Sequence, residues 1–81
     1  MTVVLRFRTD QAPYVREREW HPTQRLRDLR DGRLELTFHA GGTFENTRWI
    51  IGWGDAVEVV RPARLRREVA AILATAAGQY R

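Results

Sequence analysis

Arginine is the residue type in this sequence with the clearest capacity for binding chemistry. All fourteen cationic side chains are Arg and none is Lys, against ten acidic side chains, so the net charge is +4. Guanidinium groups bind carboxylates and phosphates in a fixed planar geometry, which is compatible with a nucleic-acid partner or with Arg-carboxylate interfaces. A genome rich in G and C would produce the same bias, and acidic residues are interspersed among the basic ones.

Four arginines on two predicted neighbouring strands are the candidates for contact with a nucleic acid or nucleotide effector: Arg6, Arg8, Arg25 and Arg27. Such a cationic stripe could follow the backbone of a single strand without reading its sequence. The alternative is that these side chains are solvated or paired with carboxylates. An RNA-recognition motif is disfavoured, because the positions predicted to face outward carry no aromatic side chains for base stacking. They are Arg6, Arg8, Glu35, Thr37 and His39.

Catalysis and metal binding find little support in the sequence. There is no cysteine, and His21 and His39 lack further ligand-type residues at metal-site spacing. Acylphosphatase chemistry would need a phosphate-cradling loop after the first strand, and Thr9-Asp10-Gln11 is not glycine-rich. We therefore expect a protein that is not an enzyme, with no cofactor and no metal, whose histidines make local hydrogen bonds.

Hydrophobic periodicity predicts four strands and three helices. Val3, Leu5 and Phe7 alternate with polar neighbours, as expected of a strand that buries one face. In the last helix the apolar side chains recur at helical spacing, at Leu65, Val69, Ile72, Leu73, Ala76 and Tyr80. The predicted strands are residues 3–8, 24–29, 34–38 and 56–60, and the helices are residues 12–20, 44–53 and from 63 onward. Asp10 and Thr43 are the predicted caps of the first two helices.

The sequence Asp31-Gly32 predicts a hairpin between the second and third strands, in one of two registers. A two-residue turn would pair Leu29 with Leu34. A three-residue loop with a bulge at Gly32 would instead pair Leu26 with Leu36, and we favour this register.

The element order predicts one ferredoxin-like α+β domain over residues 1–81. It is a β-α-β-β-α-β sandwich with an antiparallel four-stranded sheet and an additional C-terminal helix. A chain of 81 residues has a thin core, so we expect a partner or a parent chain. No apolar run is long enough to span a membrane, and we expect a cytoplasmic protein.

Residues 48–54, Arg-Trp-Ile-Ile-Gly-Trp-Gly, closely resemble a stretch of the C-terminal extension (WCX) domain that follows the WYL domain in bacterial transcriptional regulators. Other segments agree in order and spacing, so that the resemblance spans nearly the whole chain. They are residues 4–7, residues 15–24, the Asp31-Gly32 hairpin, and residues 57–62 before a Leu-Arg-x-x-Val helix.

The resemblance implies a regulatory domain that supports dimerisation and relays effector binding, in a parent protein whose helix-turn-helix domain binds DNA. We expect it to dock on its own WYL domain or on a second copy of itself, with Trp49 and Trp53 as anchors. Arginines would form the rim of this interface: Arg16, Arg18, Arg64, Arg66 and Arg67. The competing hypothesis is an Arg-rich module that binds single-stranded nucleic acid.

Overall fold

The computed structural model describes residues 1–41 and 47–81. Four strands and three helices follow one another in the predicted order. The strands are β1 (Thr2–Phe7), β2 (Arg25–Asp28), β3 (Leu34–His39) and β4 (Val57–Arg61). The helices are α1 (Ala12–Arg16), α2 (Thr47–Ile51) and α3 (Ala63–Gly78), with single 3-10 turns at Thr9–Gln11 and Gly54–Ala56.

The four strands form one antiparallel sheet in the order β2-β3-β1-β4. Strand β1 lies in the interior, with Leu5 opposite Leu36 of β3 on one side and Val59 of β4 on the other. This strand order confirms the ferredoxin-like arrangement, and α3 is the additional C-terminal helix.

The hydrophobic core lies on one face of this sheet. Val3, Leu5 and Phe7 are completely buried there, and β3 adds Leu34 and Leu36 to the same face. The helices cover it with one or two buried side chains each: Ala12 and Val15 from α1, Ile50 from α2, and Leu65 and Val69 from α3. The other face of the sheet, which carries Arg6, Glu35 and Thr37, faces away from this core because successive side chains of a strand alternate.

The hairpin has the bulged register, since Leu26 pairs with Leu36 and Arg27 with Glu35. The loop closes through the backbone N–H of Leu29, which donates to the carbonyl of Arg33 at 2.9 Å. Gly32 has a φ of +90°, a conformation that side chains with a Cβ rarely adopt. A glycine at this position therefore selects the three-residue loop.

Helix α1 is shorter than predicted, ending at Arg16 rather than near Trp20, and Asp10 does not cap it. Asp10 instead accepts hydrogen bonds from Arg8, at 2.7 Å from Nε. The indole N–H of Trp20 donates to the carbonyl of Val15 at 2.9 Å, and the backbone N–H of Trp20 donates to Oε1 of Gln24. Local side-chain hydrogen bonds thus satisfy backbone groups that a longer helix would have used.

The other predicted boundaries lie within one or two residues of the observed ones. The regular part of α2 ends at Ile51 rather than at residue 53, and Gly54, with a φ of +60°, begins the 3-10 turn. Ala56 lies in that turn, so β4 starts one residue later than predicted and includes Arg61. The predicted cap Thr43 and the predicted helical residues 44–46 lie outside the described residues.

Substitution of Gly32 by Ala should destabilise the domain by about 1 to 2 kcal/mol, because a Cβ disfavours positive φ. The new Cβ would also lie 3.1 Å from Oγ1 of Thr9. Urea unfolding monitored by tryptophan fluorescence measures the change. Gly41→Ala is the control, since nothing lies within 4 Å of a Cβ there. Equal stability of the two variants would contradict the bulged loop.

Candidate interaction surfaces

Among the described residues, the buried side chains of helix α3 all lie in its first half. Leu65 and Val69 are buried, whereas Ile72 is 41% exposed, Leu73 39% and Tyr80 91%. These residues continue one apolar stripe along the helix, so the stripe extends beyond the part of the domain that covers it. We call residues 70–80 the free segment of α3.

The free segment carries no charged residue, whereas the beginning of α3 carries Arg64, Arg66, Arg67 and Glu68. Alanines occupy five of its positions, and a shallow groove runs along one side of it. The described residues that line this groove are Ala71, Ile72, Thr75, Ala76 and Gln79. An uncharged surface with small side chains suits contact with another apolar surface rather than with a polyanion.

Trp49 and Trp53 pack within the domain, in an aromatic cluster with Trp20 and Phe7. The ring of Phe7 lies 5.1 Å from that of Trp53, and Trp20 lies 5.3 Å from Trp49, centre to centre. Their edge-to-face and tilted geometry is the one aromatic pairs prefer. All three indoles are half-buried, so their use as anchors for a partner remains a prediction, limited to their exposed edges.

Most of the predicted cationic stripe is paired with carboxylates. Glu35 forms ion pairs with Arg6 and Arg27, each with an N–O distance of 3.1 Å. Arg8 pairs with Asp10 at 2.7 Å and with Asp55 at 3.1 Å. Among the described residues Arg25 has no ion pair. Three of the four arginines are therefore engaged, which leaves the stripe less able to contact phosphates than the sequence suggested.

The paired residues form a row of alternating charge across the sheet, on the face opposite the core. From β2 to β4 the row is Arg27, Glu35, Arg6 and Glu58, residues that lie opposite one another in the strand register. Sequence analysis did not identify Glu35 and Glu58 as partners of these arginines. The bulged hairpin register pairs Arg27 with Glu35, so this one ion pair could have been predicted from the sequence.

Glu58 also connects the sheet to α3. Arg66 donates to Glu58 at 2.8 Å and to the carbonyl of Val59 at 2.7 Å, and Arg33 lies 3.6 Å from the same carboxylate. Of the predicted rim residues, Arg66 is thus held at the base of α3. Arg64 and Arg67 are exposed and have no ion pair in the described part of the chain. Arg16 pairs with Asp28, and Arg18 lies 5.9 Å over the ring of Trp20.

The neighbouring arginines lower the pKa of the carboxyl groups of Glu35 and Glu58. Burial raises the pKa of Glu35, but the hydrogen bonds from Arg6 and Arg27 outweigh it, so that this pKa lies below its ordinary value. The hydrogen bond from Arg66 lowers the pKa of Glu58, with a smaller contribution from the charge of Arg33. Both carboxylates therefore stabilise the fold above their ordinary pKa, and this contribution is lost as the pH falls through the lowered value.

Of the two histidines, His21 makes the predicted local hydrogen bonds, whereas His39 bonds across the sheet to Thr2. Nδ1 of His21 accepts from the backbone N–H of Thr23 at 3.2 Å, and Nδ1 of His39 lies 3.1 Å from Oγ1 of Thr2. Across residues 1–41 and 47–81 no three His, Cys, Asp or Glu side chains are grouped so that they could hold a metal ion. No helix within these ranges is long and apolar enough to cross a membrane.

Comparison with known proteins agrees with this fold. A family model described as the WCX domain matches residues 1–77. The chain belongs to the WCX domain family. This membership confirms the resemblance carried by residues 48–54, and it suggests the context of a WYL-type regulator. No protein of curated function matches the chain.

Replacing Glu35 by Gln should lower the free energy of unfolding of this WCX domain by about 1 to 2 kcal/mol at neutral pH, since Arg6 and Arg27 lose a charged partner. The difference from the unsubstituted chain should begin to shrink as the pH falls below about 4, the ordinary range of a Glu carboxyl, and should vanish only below the lowered pKa of folded Glu35, where the group is protonated in both folded and unfolded states. Urea unfolding at several pH values tests this. The control is Asp31→Asn, which removes the charge from the exposed pair of Asp31 and Arg33. A loss of stability in Glu35→Gln that did not change with pH would refute the electrostatic explanation.

Replacing Trp53 by Ala should destabilise the domain by about 2 to 4 kcal/mol, as expected when a large aromatic side chain is removed from a packed cluster. Unfolding by urea, followed by circular dichroism, gives the difference. Tyr80→Ala, at an exposed aromatic outside the cluster, should leave stability unchanged. If Trp53→Ala were equally harmless, the indole would be available as an anchor for a partner.

Proposed function

We propose that this WCX domain is a non-catalytic docking and relay domain of a WYL-type transcriptional regulator. The free segment of α3 is the surface through which it contacts the rest of the assembled regulator. The observation that carries the proposal is the exposure of Ile72, Leu73 and Tyr80 on the same stripe that buries Leu65 and Val69.

The physical argument rests on the stability of the helix itself. Isolated helices of this length are marginal in water, and most helical stability in proteins comes from packing an amphipathic face. In the described part of the chain, the side chains that α3 buries, Leu65 and Val69, both lie in its first half. A partner that covers the free segment would bury its apolar stripe and stabilise the second half, which gives a direct energetic reason for association.

The same helix offers a route for a signal. Arg66, at the base of α3, binds Glu58, and Glu58 lies opposite Arg6 in the charged row of the sheet. A docked partner that displaced α3 would disturb the ion pair between Arg66 and Glu58. In the other direction, a ligand that displaced Glu58 in the charged row would disturb the same ion pair and so shift α3. The relay role in our proposal is this coupling between the helix and the exposed sheet face.

Binding of single-stranded nucleic acid or a nucleotide effector is the alternative function, and it has weaker support. A phosphate backbone would have to compete with Glu35, Asp10 and Asp55 for three of the four candidate arginines. Such binding would weaken steeply with added salt. A labelled oligonucleotide that co-elutes with the chain only at low salt would favour this alternative over the docking proposal.

Thiol protection tests the docking proposal directly, because the chain has no cysteine of its own. Ala76→Cys places a thiol on the stripe of α3, and Ala74→Cys places one on the opposite side of the helix. Each variant is mixed with excess unsubstituted chain and, separately, with a purified WYL domain from a regulator of this type. We expect at least one of these partners to slow modification of the thiol at position 76 several-fold.

The thiol at position 74 should react at the same rate with or without either partner. Adding Ile72→Glu to the Ala76→Cys chain should abolish the protection, because a charge on the stripe would have to be desolvated. Unchanged reactivity at position 76 in the presence of both partners would mean that the free segment is an ordinary solvated helix end.

A further inference from the structure

We infer that the outer edge of β2 binds an extended segment of another polypeptide, in which acidic and apolar residues alternate, as an added strand of the sheet. We call the side of β2 that faces away from β3 the β2 edge. The inference goes beyond the proposed function, because it concerns a different surface from the free segment of α3.

The backbone of β2 presents hydrogen-bonding groups along this edge. In an antiparallel pair, hydrogen-bonded and non-hydrogen-bonded residue pairs alternate. The backbone N–H of Leu29 donates to the carbonyl of Arg33, so Arg27, two residues earlier, also turns its N–H and C=O groups towards β3. The backbone groups of Leu26 and Asp28 therefore point away from β3. No backbone hydrogen bond from another part of the described chain reaches them.

The opposite edge of the sheet is already covered. Strand β4 is the last strand on that side, and its carbonyl at Val59 accepts a hydrogen bond from Arg66 at 2.7 Å. Helix α3 follows β4 after a single residue and packs on it. A strand added at β4 would have to displace Arg66, whereas a strand added at β2 would meet open backbone groups. The β2 edge is therefore the one available for pairing.

The charges along β2 favour an acidic partner. Arg25 has no ion pair among the described residues, and the side chain of Arg27 is 67% exposed although it pairs with Glu35. Glu35 also pairs with Arg6, so that one carboxylate serves two guanidinium groups. Arg25 and Arg27 lie two residues apart on the face opposite the core, and an added strand would place alternate side chains beside them. Acidic residues at those positions would form ion pairs with both arginines.

The other face of β2 favours an apolar residue between the acidic ones. Leu26 packs at the margin of the hydrophobic core and is half-buried. An apolar side chain on the added strand would cover Leu26 and extend the core by one strand. Asp28, on the same face, pairs with Arg16 of α1, so the apolar contact ends there. The occupant that suits both faces is a short strand with acidic residues on one side and apolar residues on the other.

A second copy of β2 does not have this pattern. Two β2 strands could pair symmetrically only in registers that align the outward groups of Leu26 and Asp28. These registers place Arg27 opposite Arg25 or Arg27 of the other copy, or Asp28 opposite Asp28. Like charges directly opposite one another destabilise a strand pair. The basic residues of β2 thus protect the edge against self-pairing while they attract an acidic strand.

Two methylated peptides test whether the partner binds as a strand. The probe is a short capped peptide in which Glu and Val alternate, with a fluorescent label whose anisotropy is followed as the full chain is added. In an antiparallel pair with Val beside Leu26, the N–H groups of the Val residues face β2 and those of the Glu residues face away. N-methylation of the Val nitrogens should therefore abolish binding, and N-methylation of the Glu nitrogens should preserve it.

A charge reversal tests the site on the chain. Arg25→Glu should weaken binding of the unmethylated peptide by about three- to ten-fold, because repulsion replaces attraction across the strand pair. Arg30→Glu, in the hairpin loop beyond β2, makes the same change in net charge and should leave the affinity nearly unchanged. Both positions are exposed, and circular dichroism confirms that each variant folds. A peptide with Lys in place of Glu should prefer the Arg25→Glu chain to the unsubstituted one.

Amide hydrogen exchange locates the bound peptide. The peptide should slow exchange at the backbone N–H groups of Leu26 and Asp28, which point outward in the free domain. Exchange at Arg27, whose N–H already faces β3, and at Val57 and Val59 on the opposite edge should stay the same.

Three results would overturn the inference: no binding of the peptide at millimolar concentrations, equal binding of the two methylated peptides, or equal weakening by Arg25→Glu and Arg30→Glu. The last two would mean that the peptide is attracted by net charge alone. A single-stranded oligonucleotide that bound more tightly than the peptide, and lost affinity in Arg25→Glu, would instead assign this edge to nucleic acid. Thiol protection on α3 decides the proposed function separately, because the peptide does not contact position 76.

Discussion

Strand β1 is paired on both sides, and the rest of the domain depends on its burial. Val3, Leu5 and Phe7 are completely buried, and the backbone of this strand bonds to β3 and β4 at once. All three helices contribute side chains to the core cluster that contains these three residues. Because a strand alternates its side chains, burying one face of β1 also places Arg6 on the opposite face.

This constraint explains why the charged row exists. Neighbouring strands in register bring Glu35 and Glu58 to either side of Arg6, and Arg27 completes the row on β2. Alternating charges across a sheet satisfy one another, and like charges directly opposite would be destabilising. The arrangement keeps the exposed face polar and specifies the strand register. It also pairs with carboxylates the arginines that the composition alone would suggest as a binding surface for polyanions.

Helix α3 combines two roles that its sequence does not separate. Its first half completes the core and is held to β4 by Arg66, whereas its second half presents the same apolar periodicity to solvent. A short chain has little surface with which to cover a 16-residue helix. The docking proposal follows from this mismatch between the length of α3 and the size of the sheet.

Local pattern in the sequence determined the elements, the core faces of the strands and the hairpin. Alternation at Val3, Leu5 and Phe7, helical spacing in α3 and the positive φ that Gly32 supplies are all encoded within a few residues. The ferredoxin-like order followed from these elements, because few arrangements of them bury one sheet face.

Tertiary structure alone decided where the polar groups found their partners. Asp10 could cap α1 or bind Arg8, and the choice depended on how β1 and the 3-10 turn lie together. The end of α1 was set by the indole of Trp20, which reaches back to the carbonyl of Val15. Whether Ile72 and Tyr80 are covered depended on how far the sheet extends beside α3. The first two outcomes are side-chain contacts outside regular secondary structure and the third depends on the packing of α3 beside the sheet, and the periodicity of a single element specifies none of them.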